Sequence, residues 1–175
     1  QVQAPAAFLR EKRHLEIRIA GLANSRKMIL DPEGVKIDNW KTALDGGEPF
    51  SMPRFMEKMK AFNLPNAIFI DNTASEDIAG FYEQILEASI SISTPNKVAA
   101  SAPYLQYSRL KHVAEKRGVL WRYETNVGAG LPLITTLNDL IHSGDRILKI
   151  EGVLSGTLSY IFNNFHAGTR FPDIV

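Results

Sequence analysis

The sequence predicts an α/β fold, a parallel sheet with helices on both faces, followed by the start of a second, α+β domain. Strand-like and helix-like stretches alternate through residue 143, the pattern of a parallel sheet threaded by crossover helices. Ala67-Ile68-Phe69-Ile70-Asp71 is a short continuous apolar run of the kind that forms buried parallel strands. After Arg146 the pattern changes to a longer amphipathic strand and then a helix. A domain boundary is therefore placed near Glu124 to Leu133, with 1–130 as the first domain and 131–175 as the beginning of the second.

Composition narrows the possibilities. At 175 residues the chain has room for one domain, or one domain and part of another. A hydrophobic share of 45% with 22% charged residues supplies enough apolar side chains for a core. The net charge of +1 gives no electrostatic case for nucleic acid or a membrane surface as the main partner. There is no cysteine, which excludes disulfides, zinc–cysteine sites and a cysteine nucleophile, and fits a cytoplasmic protein. No apolar run approaches the roughly 20 residues that cross a bilayer. His14, His112, His142 and His166 do not pair at metal-ligand spacing, so no transition metal is expected. The start, Gln1-Val2-Gln3-Ala4-Pro5, lacks an initiator Met and a basic-then-apolar signal. The chain is read as a piece of a longer polypeptide, cut at both ends.

Residues 6 to 14 read as the exposed end of an amphipathic helix. Leu15 to Ala23 alternates as a strand, with Ile17 and Ile19 on one face. It ends at Asn24-Ser25-Arg26-Lys27, and two readings stand there. One is a solvated basic turn. The other, in a dinucleotide-binding fold, is the strand tip that meets the adenine ribose, where a basic residue suits a 2′-phosphate and an acidic one a free 2′-hydroxyl. No acid occurs between that tip and Asp31. Asp31 to Gly34 is a turn. A helix within Val35 to Leu44 is capped by Asp38 or Asn39, and Asp45 to Pro49 breaks it. Pro53 to Phe62 is a second helix, whose stripe of Phe55, Met56, Met59 and Phe62 is assigned to packing.

After the strand ending at Asp71, Ser75 caps a helix from Glu76 to Ala88 with Ile78, Phe81, Ile85 and Leu86 as its buried face. The turn from Asn72 to Ser75 thus lies at the carboxyl end of a strand, the edge on which open α/β sheets bind ligands. It also lies at a helix amino end, which favours anionic groups. Ser89 to Ser93 is the next strand, and Lys97 opens a helical stretch reaching Arg117. A lysine at a helix start opposes the helix dipole. That is a small argument for a role other than helix stability, set against the abundance of lone surface lysines.

The strand Val119 to Tyr123 leads into Glu124-Thr125-Asn126-Val127-Gly128-Ala129-Gly130-Leu131-Pro132 and then a helix from Leu133 to Ile141. Gly128, Ala129 and Gly130 leave the backbone almost bare, free to take φ > 0 or to approach a ligand, a second segment or an ion. Strand-to-helix turns also need small residues for structural reasons alone, and a short glycine motif does not separate the two readings. Ser143-Gly144-Asp145 stops the helix. Arg146 to Leu154 reads as a half-exposed strand, with Lys149 and Glu151 opposite Leu148 and Ile150. Leu158 to Phe165 reads as a helix with a broad apolar side of Tyr160, Ile161, Phe162 and Phe165.

Taken together, Asn24-Ser25, Asp71-Asn72-Thr73-Ala74-Ser75, Thr94-Pro95-Asn96-Lys97, Glu124 to Pro132 and Gly152-Val153-Leu154-Ser155-Gly156-Thr157 fall in the order and spacing of homoserine dehydrogenase. Nearly the whole chain resembles that family, and its wording looks most like the dehydrogenase half of bacterial bifunctional aspartokinase/homoserine dehydrogenases. The resemblance implies a Rossmann-like NAD(P)-binding domain over 1–130 and the beginning of a substrate-binding and dimerisation domain over 131–175. It implies interconversion of L-aspartate 4-semialdehyde and L-homoserine with NADPH or NADH, in threonine, methionine and isoleucine biosynthesis. Homo-oligomeric assembly of the full-length protein is implied with it.

By the same resemblance, Thr73 and Ala74 contact the nicotinamide cofactor, and Ser25 and Arg26 contact its adenosine end. Lys97 lies where cofactor and substrate meet. Arg26 and Lys27 favour NADPH over NADH. The backbone carbonyls of Glu124, Val127, Ala129 and Leu131 would surround a monovalent cation, sodium. No catalytic acid or base is expected within the chain. The glycine loop that cradles the pyrophosphate would precede Gln1, and the family's catalytic Asp and Lys would lie beyond Val175, so turnover by residues 1–175 alone is not expected. Two further readings stay open: a non-catalytic dinucleotide-binding or regulatory module of the same fold, and an assembly domain.

Overall fold

The computed structural model describes residues 5–153, 155–166, 168 and 170–174. The chain forms two compact units, Gln1–Pro65 and Asn66–Val175.

The first unit begins with helix α1, Ala6–Arg13, whose last turn carries Arg10, Lys12 and Arg13, the sign that suits a helix carboxyl end. The predicted strand from Leu15 pairs as strand β1 only over Gly21–Ala23, and Leu15 and Ile17 are exposed. Upstream of β1 the chain is held on one side alone, where Ile19 O and Ala20 O accept from Val35 N and Asp31 N. That leaves the outward face of Leu15 and Ile17 without a layer to pack on.

The basic tip is a hairpin loop. Strand β2, Lys27–Leu30, pairs antiparallel with β1, and strand β3, Glu48–Pro49, pairs antiparallel with β2. The strand expected to belong to the parallel sheet thus lies instead in a separate three-stranded antiparallel sheet, in the order β1-β2-β3. Asn24 Oδ1 accepts from both Arg26 N and Lys27 N at 2.8 Å, an Asx turn that closes the loop. A single turn of 3₁₀ helix at Ile37–Asn39 leads into α2, Trp40–Asp45. The Asn39 side chain does not cap α2, so the expected cap by that residue does not form. Gly47 crosses Met28 so closely that a Cβ there would lie 2.4 Å from Met28 O. Helix α3, Met52–Phe62, buries Phe55 and Met56 of the expected stripe together with Met52, while Met59 and Phe62 are only half-buried, and the core is completed by Met28, Val35 and Leu44.

The second unit holds the parallel sheet. Strands β4 (Ile68–Ile70), β5 (Ser91–Ser93) and β6 (Trp121–Arg122) lie in the order β4-β5-β6, with Phe69 opposite Ile92 and Ile92 opposite Trp121. The helix expected over Glu76 to Ala88 is two pieces, α4 (Glu76–Ala79) and α5 (Tyr82–Glu87), split at Gly80-Phe81. Tyr82, Ile85 and Leu86 are fully buried beneath it. Helix α6, Tyr104–Arg117, packs on α5 and connects β5 to β6.

Strand β4 is not buried as its apolar run suggested: Ile68 and Ile70 are 63% and 62% exposed. It is the edge of the sheet among the described residues. Past β6, a 3₁₀ turn at Glu124–Asn126 leads to helix α7, Leu133–His142. The strand expected at Arg146 to Leu154 does not form over residues 146–153, and Leu154 lies outside the described residues. Leu148 is 86% exposed there; with no neighbouring strand among the described residues, ladder hydrogen bonds have no partner. Helix α8, Gly156–Asn164, is capped by Ser155 Oγ, which accepts from Leu158 N at 3.2 Å. Its apolar side is present but exposed, with Phe162 71% accessible. A 3₁₀ turn at Phe171–Asp173 follows.

Candidate functional site

The carboxyl ends of β4, β5 and β6 each release a turn, and a chain of buried polar side chains ties the three turns together. Asp71, at the end of β4, is 2% exposed. Its Oδ1 accepts from Thr73 N at 2.7 Å; its Oδ2 accepts from the Tyr82 hydroxyl at 2.6 Å and from Asn96 Nδ2 at 3.0 Å. A buried carboxylate is costly unless donors of this kind surround it.

Thr94, at the end of β5, donates its hydroxyl to Asp71 O at 2.8 Å and accepts from Asn96 N at 2.9 Å. Asn96 is satisfied on every side: Nδ2 also donates to Ser75 O at 3.0 Å, and Oδ1 accepts from Val98 N at 3.0 Å. Asn126, in the turn after β6, donates Nδ2 to Asn96 O at 3.2 Å. Burial, and donation to Asp71, push the Tyr82 phenol above its ordinary value, so it stays a neutral donor.

The network sets two of the residues picked out by sequence. Thr73 Oγ1 accepts from Ser75 N at 3.1 Å, and Ser75 Oγ caps α4 by accepting from Ile78 N. That leaves Thr73 and Ala74 exposed on a turn with a fixed backbone. Lys97 follows Asn96 directly; its side chain is exposed, and its carbonyl accepts from Ser101 N and Ser101 Oγ, both at 2.9 Å. Lys97 does not open a helix: residues 98–102 are turns and bends, and α6 begins at Tyr104. The argument from helix-dipole mismatch therefore lapses, and what fixes Lys97 is its neighbour Asn96. Ser25 and Arg26 lie exposed in the first unit's hairpin loop. Lys27 is drawn away from that loop, its Nζ donating to Gly47 O at 2.9 Å.

The turn after β6 is built differently. Gly128 and Ala129 take φ of 71° and 51°, both left-handed. A Cβ on Gly128 would meet Leu133 Cδ1 at 2.4 Å, whereas one on Gly130 would meet open space. Of the four carbonyls expected to face a cation, Leu131 O accepts from Leu133 N at 2.9 Å and Glu124 O from Val127 N at 3.4 Å. Those of Val127 and Ala129 accept no backbone hydrogen bond among the described residues. Asn126 Oδ1, in the same turn, is buried without a partner. Under-satisfied oxygens call for a donor or a hard cation. No cluster of His, Cys, Asp or Glu that could hold a metal ion occurs among the described residues.

The Glu124 side chain has a role that the sequence reading missed. Pro132 precedes α7 and supplies no cap. Glu124 reaches across instead: Oε1 accepts from Ile134 N and Oε2 from Thr135 N, both at 2.8 Å, and Oε2 also accepts from the Thr135 hydroxyl at 2.5 Å. The Thr135 hydroxyl foremost, with the Thr135 and Ile134 N–H groups, holds the Glu124 carboxyl below its ordinary value against the opposing effect of burial. Beside this turn, a concavity of about 380 Å³ is lined by Tyr107, Tyr123, Asn126, Val127, Ile134 and Ile141. Tyr107 and Tyr123 share a hydroxyl hydrogen bond of 2.6 Å, and the Trp121 ring lies 4.6 Å from Tyr123.

Comparison with known proteins matches the chain to a family. The family description "Homoserine dehydrogenase, NAD binding domain" matches residues 3–124, and "Homoserine dehydrogenase" matches residues 132–175. The chain is 39% identical to the chloroplastic bifunctional aspartokinase/homoserine dehydrogenase 1 of Arabidopsis thaliana over 100% of its own length and 19% of that protein. It is 43% identical to the homoserine dehydrogenase of Schizosaccharomyces pombe over 83% of the chain and 40% of that protein. The chain thus spans about a fifth of the length of the bifunctional relatives it matches. A crystal structure of a Candida auris protein of unknown function superposes with a TM-score of 0.78 at 33% identity, covering 99% of this chain and 51% of that one. A hyperthermophilic archaeal homoserine dehydrogenase in complex with NADPH shares the fold, with a TM-score of 0.71 at 22% identity over 98% of this chain and 55% of that one. With its two regions matched in order and its strand-end turns in place, the chain belongs to the homoserine dehydrogenase family.

Proposed function

We propose that this chain carries the nicotinamide-facing and lysine-bearing part of an NAD(P)H-dependent homoserine dehydrogenase, which interconverts L-aspartate 4-semialdehyde and L-homoserine. The observation that carries the reading is the Asp71–Asn96 hydrogen bond. Through it, one buried carboxylate holds both the Thr73–Ala74 turn and the Lys97 turn at the carboxyl edge of a parallel sheet, where open α/β sheets bind their ligands.

In this reading Thr73 and Ala74 receive the nicotinamide end of the cofactor. The exposed Lys97 ammonium holds and polarises the oxygen of the substrate's aldehyde or hydroxyl, a charge placed where the alkoxide develops. Bound there, the dinucleotide supplies or accepts the hydride. Ser25 and Arg26 take the adenosine end. Because Lys27 is committed to Gly47 O, Arg26 alone carries the preference for a 2′-phosphate, and NADPH is favoured. The carbonyls of Glu124, Val127, Ala129 and Leu131 hold a sodium ion that braces the junction between a cofactor domain, 1–130, and a substrate and dimerisation domain that begins at 131. The family matches, which break between 124 and 132, support that division. A cytoplasmic homo-oligomer acting in threonine and methionine biosynthesis completes the reading; the plant relatives carry the word chloroplastic in their names.

The test is homoserine-dependent reduction of NADP⁺ and NAD⁺ by the full-length polypeptide, with the sodium concentration varied. The reading expects turnover, a higher kcat/KM with NADP⁺, and a rise with sodium. Absence of homoserine oxidation contradicts the activity, and a preference for NAD⁺ contradicts the role of Arg26.

A further inference from the structure

Tyr82 belongs to no binding motif, yet it stands at the centre of the network. Its ring is fully buried, set edge-on to Trp121 at 6.5 Å between ring centres. Its hydroxyl proton goes to Asp71 Oδ2, and the Thr94 hydroxyl proton goes to Asp71 O. The Tyr82 hydroxyl also reaches Thr94 Oγ1, at 3.0 Å. It is therefore held in position by the packing of its ring and by this contact at the end of β5. Asp71 Oδ2 has two donors, one from the rigid core and one from the Lys97 turn through Asn96 Nδ2. Asp71 Oδ1 serves the Thr73 turn separately.

We propose that Tyr82 is a positioning residue: its core-anchored hydroxyl fixes the Asp71 carboxylate so that the turn at 96–98 presents Lys97 at a set place beside Thr73. The proposal rests on the reading of Lys97 and Thr73 given above. Without the hydroxyl, Oδ2 loses its rigid donor while Oδ1 keeps Thr73 N. The Lys97 side of the site then loosens and the Thr73 side holds, an asymmetry that a general loss of stability does not produce.

The experiment uses Tyr82→Phe in the full-length polypeptide and two readouts. The first is backbone hydrogen exchange, which does not depend on activity. Exchange at residues 96–98 rises roughly tenfold, the size of one lost charge-assisted hydrogen bond, while exchange in Ser91–Ser93 of β5 stays unchanged. Tyr107→Phe, which removes a tyrosine hydroxyl from the same aromatic cluster but not from Asp71, leaves exchange at 96–98 as it was. In the double variant with Asp71→Asn, Tyr82→Phe adds no further exchange, because its effect passes through that carboxylate.

The second readout is kinetic. kcat with homoserine falls roughly tenfold, and KM for the dinucleotide stays within about twofold. Unchanged exchange at 96–98, exchange that rises equally in β5, or a rise in dinucleotide KM that matches the loss of kcat each overturns the proposal. If the wild-type polypeptide does not oxidise homoserine, the functional reading fails while the exchange measurement still decides the role of Tyr82.

Discussion

The three turns that frame the candidate site solve the same problem in two opposite ways. At the ends of β4 and β5 the backbone is held by side chains that satisfy one another: Asp71, Thr94 and Asn96 are all buried and all bonded. At the end of β6 the backbone takes two consecutive left-handed residues and leaves the carbonyls of Val127 and Ala129 without backbone donors among the described residues. A complete polar network rigidifies what it touches. A turn with spare carbonyls leaves them to water or to a bound ion. The first turn pair reads as scaffold and the second, in the function proposed above, as receptor, with Asn126, bonded to Asn96 O, as the link between them.

The largest expected effect comes from breaking the scaffold. Asp71→Ala leaves Thr73 N, the Tyr82 hydroxyl and one Asn96 proton without their acceptor, and is expected to destabilise the fold by about 3 kcal/mol. Denaturant unfolding checks this. A change below about 0.5 kcal/mol, the level of an ordinary surface substitution, would show that water replaces the carboxylate and that the network is not a support.

The receptor turn is sharpened by a matched pair. Gly128→Ala meets both a positive φ and Leu133 Cδ1 and is expected to cost about 1–2 kcal/mol. It should also weaken any dependence of activity on sodium. Gly130→Ala meets open space, so its thermal midpoint is expected to stay close to wild type. Equal effects at the two positions would remove the case for a specific turn geometry.

The smallest effect concerns Glu124. Its folded-state pKa lies below the unfolded value, so its contribution to stability is present above the unfolded pKa and is lost as pH falls through the folded one. The stability gap between wild type and Glu124→Gln is therefore expected to be widest at neutral pH and to close in acid, as thermal melts across that range would record. A gap that widens on acidification would contradict the capping role.

Much of this arrangement was legible in the sequence because it is local. Phe55, Met56 and Met59 recur at helical spacing, Ser75 stands before a helix, Phe69 sits in an apolar run of strand length, and Ile92 sits in a stretch read as a strand. What escaped is what depends on a partner distant in sequence. The loop Ser25-Arg26 has no glycine to announce a hairpin, so β2 went unread until Asn24 closed the turn with its side chain. Tyr82 fits the buried stripe with Ile78 and Ile85, but its hydroxyl finds Asp71 eleven positions away, a pairing no local spacing encodes. Glu124 caps a helix that starts nine residues later, outside the three-residue spacing of a capping box. Leu148 and Ile150 carry the alternation of a strand, but without a neighbouring strand the alternation alone makes none.

The most direct test of the account is Lys97→Ala in the full-length polypeptide, read as turnover with homoserine alongside the thermal midpoint. The exposed lysine makes little contribution to the fold, so the midpoint is predicted to stay close to wild type. kcat is predicted to fall roughly 100-fold, as when a group stabilising developing negative charge is removed. Turnover that survives the substitution unchanged would contradict the placement of the reaction at these strand ends.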